Sequence, residues 1–148
     1  MVDQFLQAAI EEAQCGLREG GIPIGSVLVH RGRGIILGRG HNRRVQRGSA
    51  VLHGEMDALE NAGRQPARVY RESVLYTTLS PCAMCSGAIL LYGITTVIVG
   101  ENQTFLGEEE LLRSRGVSVT VLQDEACVRL MADFIQAHPD LWNEDIGV

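Results

Sequence analysis

The sequence lacks the features of secreted and membrane-spanning proteins. No apolar run reaches the roughly 18 residues that a transmembrane helix needs, and residues 1–12 contain no basic stretch followed by an apolar one, as a secretory signal would. Four cysteines in a chain of 148 residues without such a signal do not indicate a disulfide scaffold. We therefore expect a cytoplasmic protein with reduced thiols and no membrane partner.

Positive charge is also scarce. The chain has 13 basic and 18 acidic residues, for a net charge of −5, so it lacks the broad positive field with which nucleic-acid-binding proteins hold phosphates. Four arginines do lie close together in the sequence, and we interpret them as a solvent-exposed loop and strand end; they are Arg39, Arg43, Arg44 and Arg47. We therefore expect no nucleic-acid partner.

The chain shows no linker, low-complexity segment or internal repeat, so we predict a single domain over residues 1–148. Helical and strand patterns alternate after an N-terminal helix and a hairpin. The predicted helices are Val2–Arg18, His53–Asn61, Cys82–Leu91, Glu108–Ser114 and Glu125–Ala137, the last halted by Pro139. The predicted strands are Ser26–Val29, Ile35–Leu37, Val74–Thr78, Thr95–Val99 and Val117–Leu122, with a short last turn at Leu141–Asp145. This order predicts an α/β domain with a mixed sheet of about five strands.

One motif combines His53-Gly54-Glu55 with Pro81-Cys82-Ala83-Met84-Cys85. Its pattern, H-x-E followed by P-C-x-x-C, is the signature of zinc-dependent base deaminases. A structural zinc is usually closed by four protein ligands, whereas a catalytic zinc keeps one position for water. His53, Cys82 and Cys85 supply three ligands, and the helix starts on which they are expected favour thiolates. The motif therefore predicts a catalytic zinc.

Glu55 lies two residues beyond His53, and we interpret it as a general acid and base rather than as a ligand. It can accept a proton from the activated water, return it to a ring nitrogen and later protonate the departing amine. These residue types together predict hydrolytic removal of an amino group from a nitrogen heterocycle.

A C-x-x-C pair alone has other interpretations. It occurs in redox-active sites, which would not need the His-x-Glu element, and in structural zinc sites, which would need a fourth ligand. Cys127 is a candidate fourth ligand, but its place in an amphipathic helix indicates a buried apolar position, as we also expect for Cys15. A noncatalytic, zinc-stabilised interaction module is therefore the alternative from a different class.

Five further residues have plain structural interpretations when taken alone. Asn42 is a turn former after a strand, and His41 is a turn residue bonded to the backbone. Phe105 and Trp142 are core or rim aromatics, and Asp145 is a solvated acid near the end of the chain.

Over nearly its whole length the chain resembles the fungal-type cytosine deaminases of the cytidine deaminase superfamily. The resemblance is carried by Gly20–Gly25, Gly38–Asn42, Gly48–Ala50, Leu52–Glu55, Leu75–Cys82, Trp142 and Glu144–Gly147. The His-Glu and cysteine elements are shared by the whole superfamily, whereas Trp142 and the Glu-Asp-Ile-Gly ending are narrower and point to this branch.

The resemblance implies a three-layer α/β/α fold, a homodimer and one zinc ion per subunit. It assigns His53, Cys82 and Cys85 to zinc and Glu55 to proton transfer. It also implies a set of substrate contacts: Asn42 with the ring edge, Asp145 with the exocyclic amine, Phe105 and Trp142 around the base, and the backbone at Gly54 and Ser80. The C-terminal segment would then cover a small buried pocket that suits a free base.

We therefore predict deamination of a small heterocyclic substrate, with conversion of cytosine to uracil and ammonia as the first hypothesis. Since a shared fold does not fix the substrate, deamination of isocytosine, creatinine, an aminated triazine or a pterin is an alternative. Another alternative is deamination of a base in transfer RNA, which should require an exposed pocket and basic surroundings.

Overall fold

A five-stranded mixed sheet forms the centre of the computed structural model, which describes residues 3–148. The strands are β1 (Gly25–His30), β2 (Ile35–His41), β3 (Ser73–Leu79), β4 (Thr96–Glu101) and β5 (Ser118–Val121), in the spatial order β2-β1-β3-β4-β5. β1 pairs antiparallel with β2 and β3, whereas β3, β4 and β5 are parallel. The predicted α/β domain with a mixed sheet of five strands is confirmed.

The helices of residues 3–148 are α1 (Gln4–Arg18), α2 (Arg44–Arg47), α3 (Gly54–Ala62), α4 (Ala67–Arg71), α5 (Ala83–Tyr92), α6 (Glu109–Ser114), α7 (Glu125–Ala137) and α8 (Pro139–Asp145). Within the described part of the chain, none of them has the length and apolar character needed to cross a lipid bilayer.

Helices cover both faces of the sheet because the strands are apolar on both sides. Successive strand residues point to opposite faces, so Val27 and Val29 of β1 pack near Ala8 of α1, whereas Leu28 between them packs in a cluster with Ile89 of α5. The sheet is therefore the middle of three layers, as predicted.

Strand β2 is longer than predicted, because the glycines in its C-terminal half do not give a strand pattern in the sequence. The strand was expected at Ile35–Leu37 but continues to His41. A side chain at Gly38 would place its Cβ 2.3 Å from the backbone nitrogen of Ala62 in α3. Glycine is thus required where α3 lies directly against β2, although it is a poor strand former by propensity.

Other elements differ from prediction mainly at their ends. The short helices α2 and α4 were not predicted, because one or two turns are too short to show an apolar period. Pro139 follows the end of α7, as expected, but it also begins α8, since proline lacks only an N–H that the first turn does not use. The predicted start of the first helix at Val2 lies outside the described residues.

The two cysteines outside the motif have different environments. Cys127 is buried between α7 and α1, where it packs with Leu6 and Ile10, as predicted. Cys15 is only half-buried, and its thiol lies 3.7 Å from a carboxylate oxygen of Glu19. The prediction of a buried position is therefore wrong for Cys15, which lies toward the solvent side of α1.

Candidate active site

Two helix starts bring the predicted metal ligands together. His53 is the N-cap residue of α3 and Cys82 is the N-cap residue of α5, with Cys85 in the first turn of α5. The two caps are extended, with φ, ψ of −62°, 163° and −71°, 178°, so each side chain leaves the helix axis at its first turn. All three side chains are therefore held at the starts of helices rather than in loops.

The spacing of the donor atoms fits a tetrahedral zinc. Nδ1 of His53 lies 3.4 Å from Sγ of Cys82 and 3.8 Å from Sγ of Cys85. With ordinary Zn–N and Zn–S bond lengths, a tetrahedral ion would separate such atoms by roughly 3.6 Å. Nε2 of His53 donates a hydrogen bond to the backbone carbonyl of Asp145 at 3.2 Å, which orients the ring as is usual for zinc-binding histidines.

Among residues 3–148, no fourth ligand completes this group: no further histidine, cysteine or carboxylate places a ligand atom within 4.8 Å of all three donor side chains, those of His53, Cys82 and Cys85. Cys127, a candidate fourth ligand from the sequence, lies elsewhere in the core, between α7 and α1. The donor set therefore fits a catalytic zinc with an open position rather than a closed structural one.

The carboxyl group of Glu55 is buried next to this donor set. Burial raises the pKa of Glu55 to about 7, and the nearby Cys82 thiolate acts in the same direction, whereas His53 opposes it. The pKa of Cys82 falls to about 4, chiefly because the Cys85 thiol donates a hydrogen bond to its sulfur and also because His53 does. A thiolate ligand and a carboxyl group suited to proton exchange near neutral pH thus lie side by side.

A small cavity opens onto Glu55 and the metal ligands. It offers about 20 Å³ of space to the centre of a water molecule, and its wall is formed by Ile24, His53, Glu55, Leu79, Ser80, Cys82, Phe105, Trp142, Asp145 and Ile146. The rings of Phe105 and Trp142 meet edge to face, with centroids 5.7 Å apart, and form one wall.

The Asp145 carboxylate is held by three other side chains at the edge of the cavity. Nδ2 of Asn42 donates to its two oxygens at 3.1 and 3.2 Å, and Arg44 donates to Oδ1 at 3.1 Å. Nε2 of His53 lies 3.5 Å from Oδ2. The interpretation of Asp145 as a solvated acid is wrong, because α8 buries this carboxylate within the protein.

The structure places four of the six predicted substrate-binding residues in the cavity wall. Phe105, Trp142, Asp145 and Ser80 line the cavity, whereas Asn42 contacts one of these wall residues, Asp145, and Gly54 adjoins two others, His53 and Glu55. The hydroxyl of Ser80 donates to Glu109 at 2.6 Å, and its backbone N–H donates to the carbonyl of Glu101 at 3.1 Å. At Gly54 a side chain would place its Cβ 3.0 Å from the carbonyl oxygen of Ile24.

Asn42 combines two roles that the sequence could not separate. Its Oδ1 accepts a hydrogen bond from the backbone N–H of Arg44 at 3.0 Å, which is the turn-forming contact expected from residue type. Its Nδ2 makes the contact with Asp145 described above. Asn42 thus both forms the turn after β2 and carries one of the contacts to α8.

The arginines and the histidine around Asn42 correct two sequence interpretations. Arg39 and Arg47 are solvent-exposed, as interpreted, but Arg43 and Arg44 are partly buried and form ion pairs with Asp57 and with Glu144 and Asp145, so the interpretation is wrong for these two. His41 is a fully buried residue at the end of β2, and its ring lies 2.8 Å from Glu12 of α1 and 2.7 Å from Glu19, the residue that caps the end of α1. It is therefore not a backbone-bonded turn residue.

Sequence reasoning missed several residues of the cavity. Ile24, Leu79 and Ile146 are apolar wall residues that resemble any core position in the sequence. Arg44 was noted only as part of a charged cluster. The one available hint was the pair of acids at the end of the chain, Glu144 and Asp145, which need basic partners if the ending folds over the domain.

Comparisons with known proteins agree with this geometry. Residues 1–101 match the family described as the cytidine and deoxycytidylate deaminase zinc-binding region. The chain is 56% identical over 142 residues to a cytosine deaminase from Candida albicans, covering 96% of this chain and 94% of the relative. It is 43% identical over 110 residues to a tRNA-specific adenosine deaminase from Streptococcus pyogenes, covering 72% and 67% of the two chains.

Solved structures share the fold. A structure from a study of tRNA:A34 deaminases superimposes with a TM-score of 0.73 and 25% identity, covering 86% of this chain and 98% of that one. A guanine deaminase from Nitrosomonas europaea superimposes with a TM-score of 0.70 and 22% identity, covering 88% and 82%, and shows the fold alone. Together with the three-ligand site beside a buried glutamate, the matches show that the chain belongs to the cytidine and deoxycytidylate deaminase zinc-binding family.

Proposed function

We propose that this protein is a zinc-dependent aminohydrolase that converts the free base cytosine to uracil and ammonia. The observation that carries the proposal is the buried carboxyl of Glu55 beside the donor atoms of His53, Cys82 and Cys85, inside a small cavity. The likeness to a cytosine deaminase over 96% of the chain supports cytosine as the substrate.

The chemistry divides between the metal and the carboxyl group. When bound by His53, Cys82 and Cys85, one zinc ion per subunit supplies the Lewis acidity that activates water at neutral pH. Glu55 moves the protons: its carboxylate takes one from the attacking water and delivers it to the ring nitrogen, and it then protonates the departing amino group. The pKa of about 7 suits both directions of transfer. Overall, cytosine and water give uracil and ammonia.

The remaining predicted residues bind the base. Asp145 accepts a hydrogen bond from the exocyclic amine, and Asn42 hydrogen-bonds the ring edge. Phe105 and Trp142 enclose the base, since a flat aromatic ring packs well against an aromatic wall. The backbone at Gly54 and Ser80 supplies the other polar contacts. The burial of Asp145 and Asn42 supports these roles, because buried polar groups discriminate strongly against substrates that leave them unpaired.

A free base fits the cavity better than a nucleotide in transfer RNA. The cavity is closed on one side by Trp142 and Ile146 near the end of the chain, and the protein carries a net charge of −5. A transfer-RNA deaminase needs access for a flipped nucleotide and a surface that attracts phosphates. The decisive assay incubates the zinc-loaded protein with cytosine and measures uracil and ammonia in equal amounts.

The same assay tests the alternatives. A panel of isocytosine, creatinine, aminated triazines and pterins addresses other small substrates, and unmodified transfer RNA addresses the polymer. Turnover of one of these without turnover of cytosine would replace the proposed substrate. Removal of zinc by a chelator followed by its return addresses a noncatalytic module, because only an enzyme recovers ammonia release when the metal returns.

The proposal includes a homodimer in the cytoplasm. A groove formed by α3, α4 and the end of α5 contains the apolar side chains of Met56, Leu59, Tyr70, Leu91 and Tyr92 beside charged ones such as Glu60 and Arg64. Leu91 is 75% exposed and Tyr92 is 42% exposed, which supports burial of this face against a second copy. Light scattering should give about 32 kDa, twice the chain mass of 16.1 kDa, and Leu91→Glu should shift the protein to monomer.

A further inference from the structure

We propose that Arg44 is a positioning residue that keeps α8 closed over the cavity and fixes the Asp145 carboxylate inside it. The part of this inference that concerns catalysis rests on the proposed function, since Asp145 is assigned there to the substrate amine. The part that concerns α8 rests on the contacts of Arg44 alone.

The guanidinium of Arg44 uses four of its five N–H donors. Nε donates to the backbone carbonyl of Ala50 at 2.9 Å, which anchors the side chain to its own segment. The two terminal nitrogens donate to the two carboxylate oxygens of Glu144 in α8, at 2.8 and 2.7 Å. One of them also donates to Oδ1 of Asp145 at 3.1 Å. The group is thus fixed on one side and holds α8 on the other.

Burial shows which of these contacts matters most. The side chain of Arg44 is 14% exposed and that of Asp145 is 1% exposed, whereas Glu144 is 62% exposed. An exposed ion pair contributes little on its own, but a buried carboxylate that loses its cationic partner is strongly disfavoured. Without Arg44, the Asp145 carboxylate would keep only its contacts with Asn42 and His53. Outward movement of α8 would then be favoured, because it returns the carboxylate to water.

The arrangement also separates Arg44 from its neighbours in the sequence. Arg43 pairs with Asp57 of α3 at 2.9 Å, and Arg39 pairs with Glu12 of α1 at 2.8 Å. In the part of the chain that the structure describes, Arg44 is the only arginine that forms an ion pair with α8. Arg39 therefore offers a control, because its replacement removes ion pairs with Glu11 and Glu12 of α1 without touching α8.

A fluorescence experiment tests closure directly. The chain has one tryptophan, and this residue, Trp142, lies buried in α8 on the cavity wall. Quenching of its emission by acrylamide therefore measures how often α8 opens. In zinc-loaded protein without substrate, Arg44→Ala should raise the quenching constant by about twofold or more, while Arg39→Ala leaves it unchanged.

Steady-state kinetics with cytosine then test the positioning of Asp145. We expect kcat/KM of Arg44→Ala to fall about 10- to 100-fold, as for the loss of a charge-assisted hydrogen bond, with both a higher KM and a lower kcat. Glu144→Gln keeps the contact between Arg44 and Asp145, so its kcat/KM should fall only about two- to fivefold, mainly through KM. Arg44→Lys keeps the charge but not the planar set of donors, so its kcat/KM should lie between those of Arg44→Ala and Glu144→Gln.

The outcomes separate the two proposals. Quenching and kinetics of Arg44→Ala that both match those of Arg39→Ala would overturn the role of Arg44. If Arg44→Ala does not fold, Arg44→Lys takes its place, because lysine keeps the charge but cannot make all the contacts of the guanidinium. A quenching constant and a kcat/KM of Arg44→Lys that both equal those of Arg39→Ala would then overturn the role of Arg44. A wild-type protein that does not deaminate cytosine would overturn the proposed substrate, while the quenching comparison would still test the hold of Arg44 on α8.

Discussion

The amide of Asn42 donates to both oxygens of the Asp145 carboxylate, at 3.1 and 3.2 Å, although the two residues lie 103 positions apart in the chain. This contact joins the end of β2 to α8. It links two of the residues that we propose to bind the base, so the position of each side chain depends on the other. The site is therefore closed by long-range polar contacts as well as by the metal ligands.

Replacement of Asn42 tests this link. Asn42→Ala leaves the buried carboxylate of Asp145 with one fewer donor, and we expect kcat/KM for cytosine to fall by about 100-fold. Asn42→Asp should be worse, because it places a second negative charge within about 3 Å of the first. Initial rates of ammonia release measure both effects. Equal rates for Asn42→Ala and wild type would contradict the role of Asn42.

The buried ring of His41 predicts a pH-dependent stability. Hydrogen bonds from the ring to Glu12 and Glu19 raise the pKa of His41 above 6.5, although burial opposes this, and the same contacts lower the pKa of both glutamates below 4.5. The proton on His41 therefore stabilises the fold fully below pH 6.5, and this contribution is lost as the pH rises through the raised pKa. The contribution of the glutamates is present above pH 4.5 and is lost as the pH falls through their lowered pKa values.

His41→Gln should therefore lower the free energy of unfolding most between pH 4.5 and 6.5. We expect a loss of about 1–3 kcal/mol in the free energy of unfolding in that window and a smaller loss at pH 9. Urea denaturation of zinc-loaded wild-type and variant proteins across this range measures the difference. A loss that stays constant with pH, or grows toward pH 9, would contradict a protonated His41.

The contact between Gly38 and α3 predicts a large effect of one methyl group. In Gly38→Ala the new Cβ would lie 2.3 Å from the nitrogen of Ala62 and 2.4 Å from the carbonyl of Ala58, so α3 must move. We expect a loss of stability of about 3 kcal/mol, as for overpacking of a core.

Gly32, in the turn of the same hairpin, is the matched control. A Cβ there would meet His30 at 3.4 Å, an ordinary contact, so Gly32→Ala should change the free energy of unfolding by less than about 0.5 kcal/mol. Equal stability of the two variants would show that α3 does not lie as close to β2 as we describe.

Local patterns made much of the fold and the metal site predictable. The helical period of α1 and α7 and the short apolar runs of β3 and β4 are visible in the sequence because each is a property of neighbouring residues. The same holds for His53, Cys82 and Cys85, whose spacings within their helix starts define a metal motif. The C-terminal half of β2 was not predicted, because Gly38 and Gly40 are needed for close packing against α3 and are not typical strand residues.

Contacts between distant parts of the chain could not be predicted in the same way. Arg44 and Asp145 are 101 positions apart, and nothing near either residue indicates its partner. The environment of His41 likewise depends on how α1 packs on the sheet. Charged residues near each other in the sequence suggested an exposed cluster, whereas the fold distributes them to acids on α1, α3 and α8.

The role of Glu55 is tested by comparing wild type with Glu55→Gln, each assayed for bound zinc and for cytosine turnover. We expect one zinc ion per chain in both proteins, because Glu55 is not a ligand. We also expect uracil and ammonia in equal amounts from wild type, and a rate lower by about 10²–10⁴-fold from the variant. A variant that deaminates cytosine at a rate close to wild type, or a wild-type protein that binds no zinc, would contradict the proposed function.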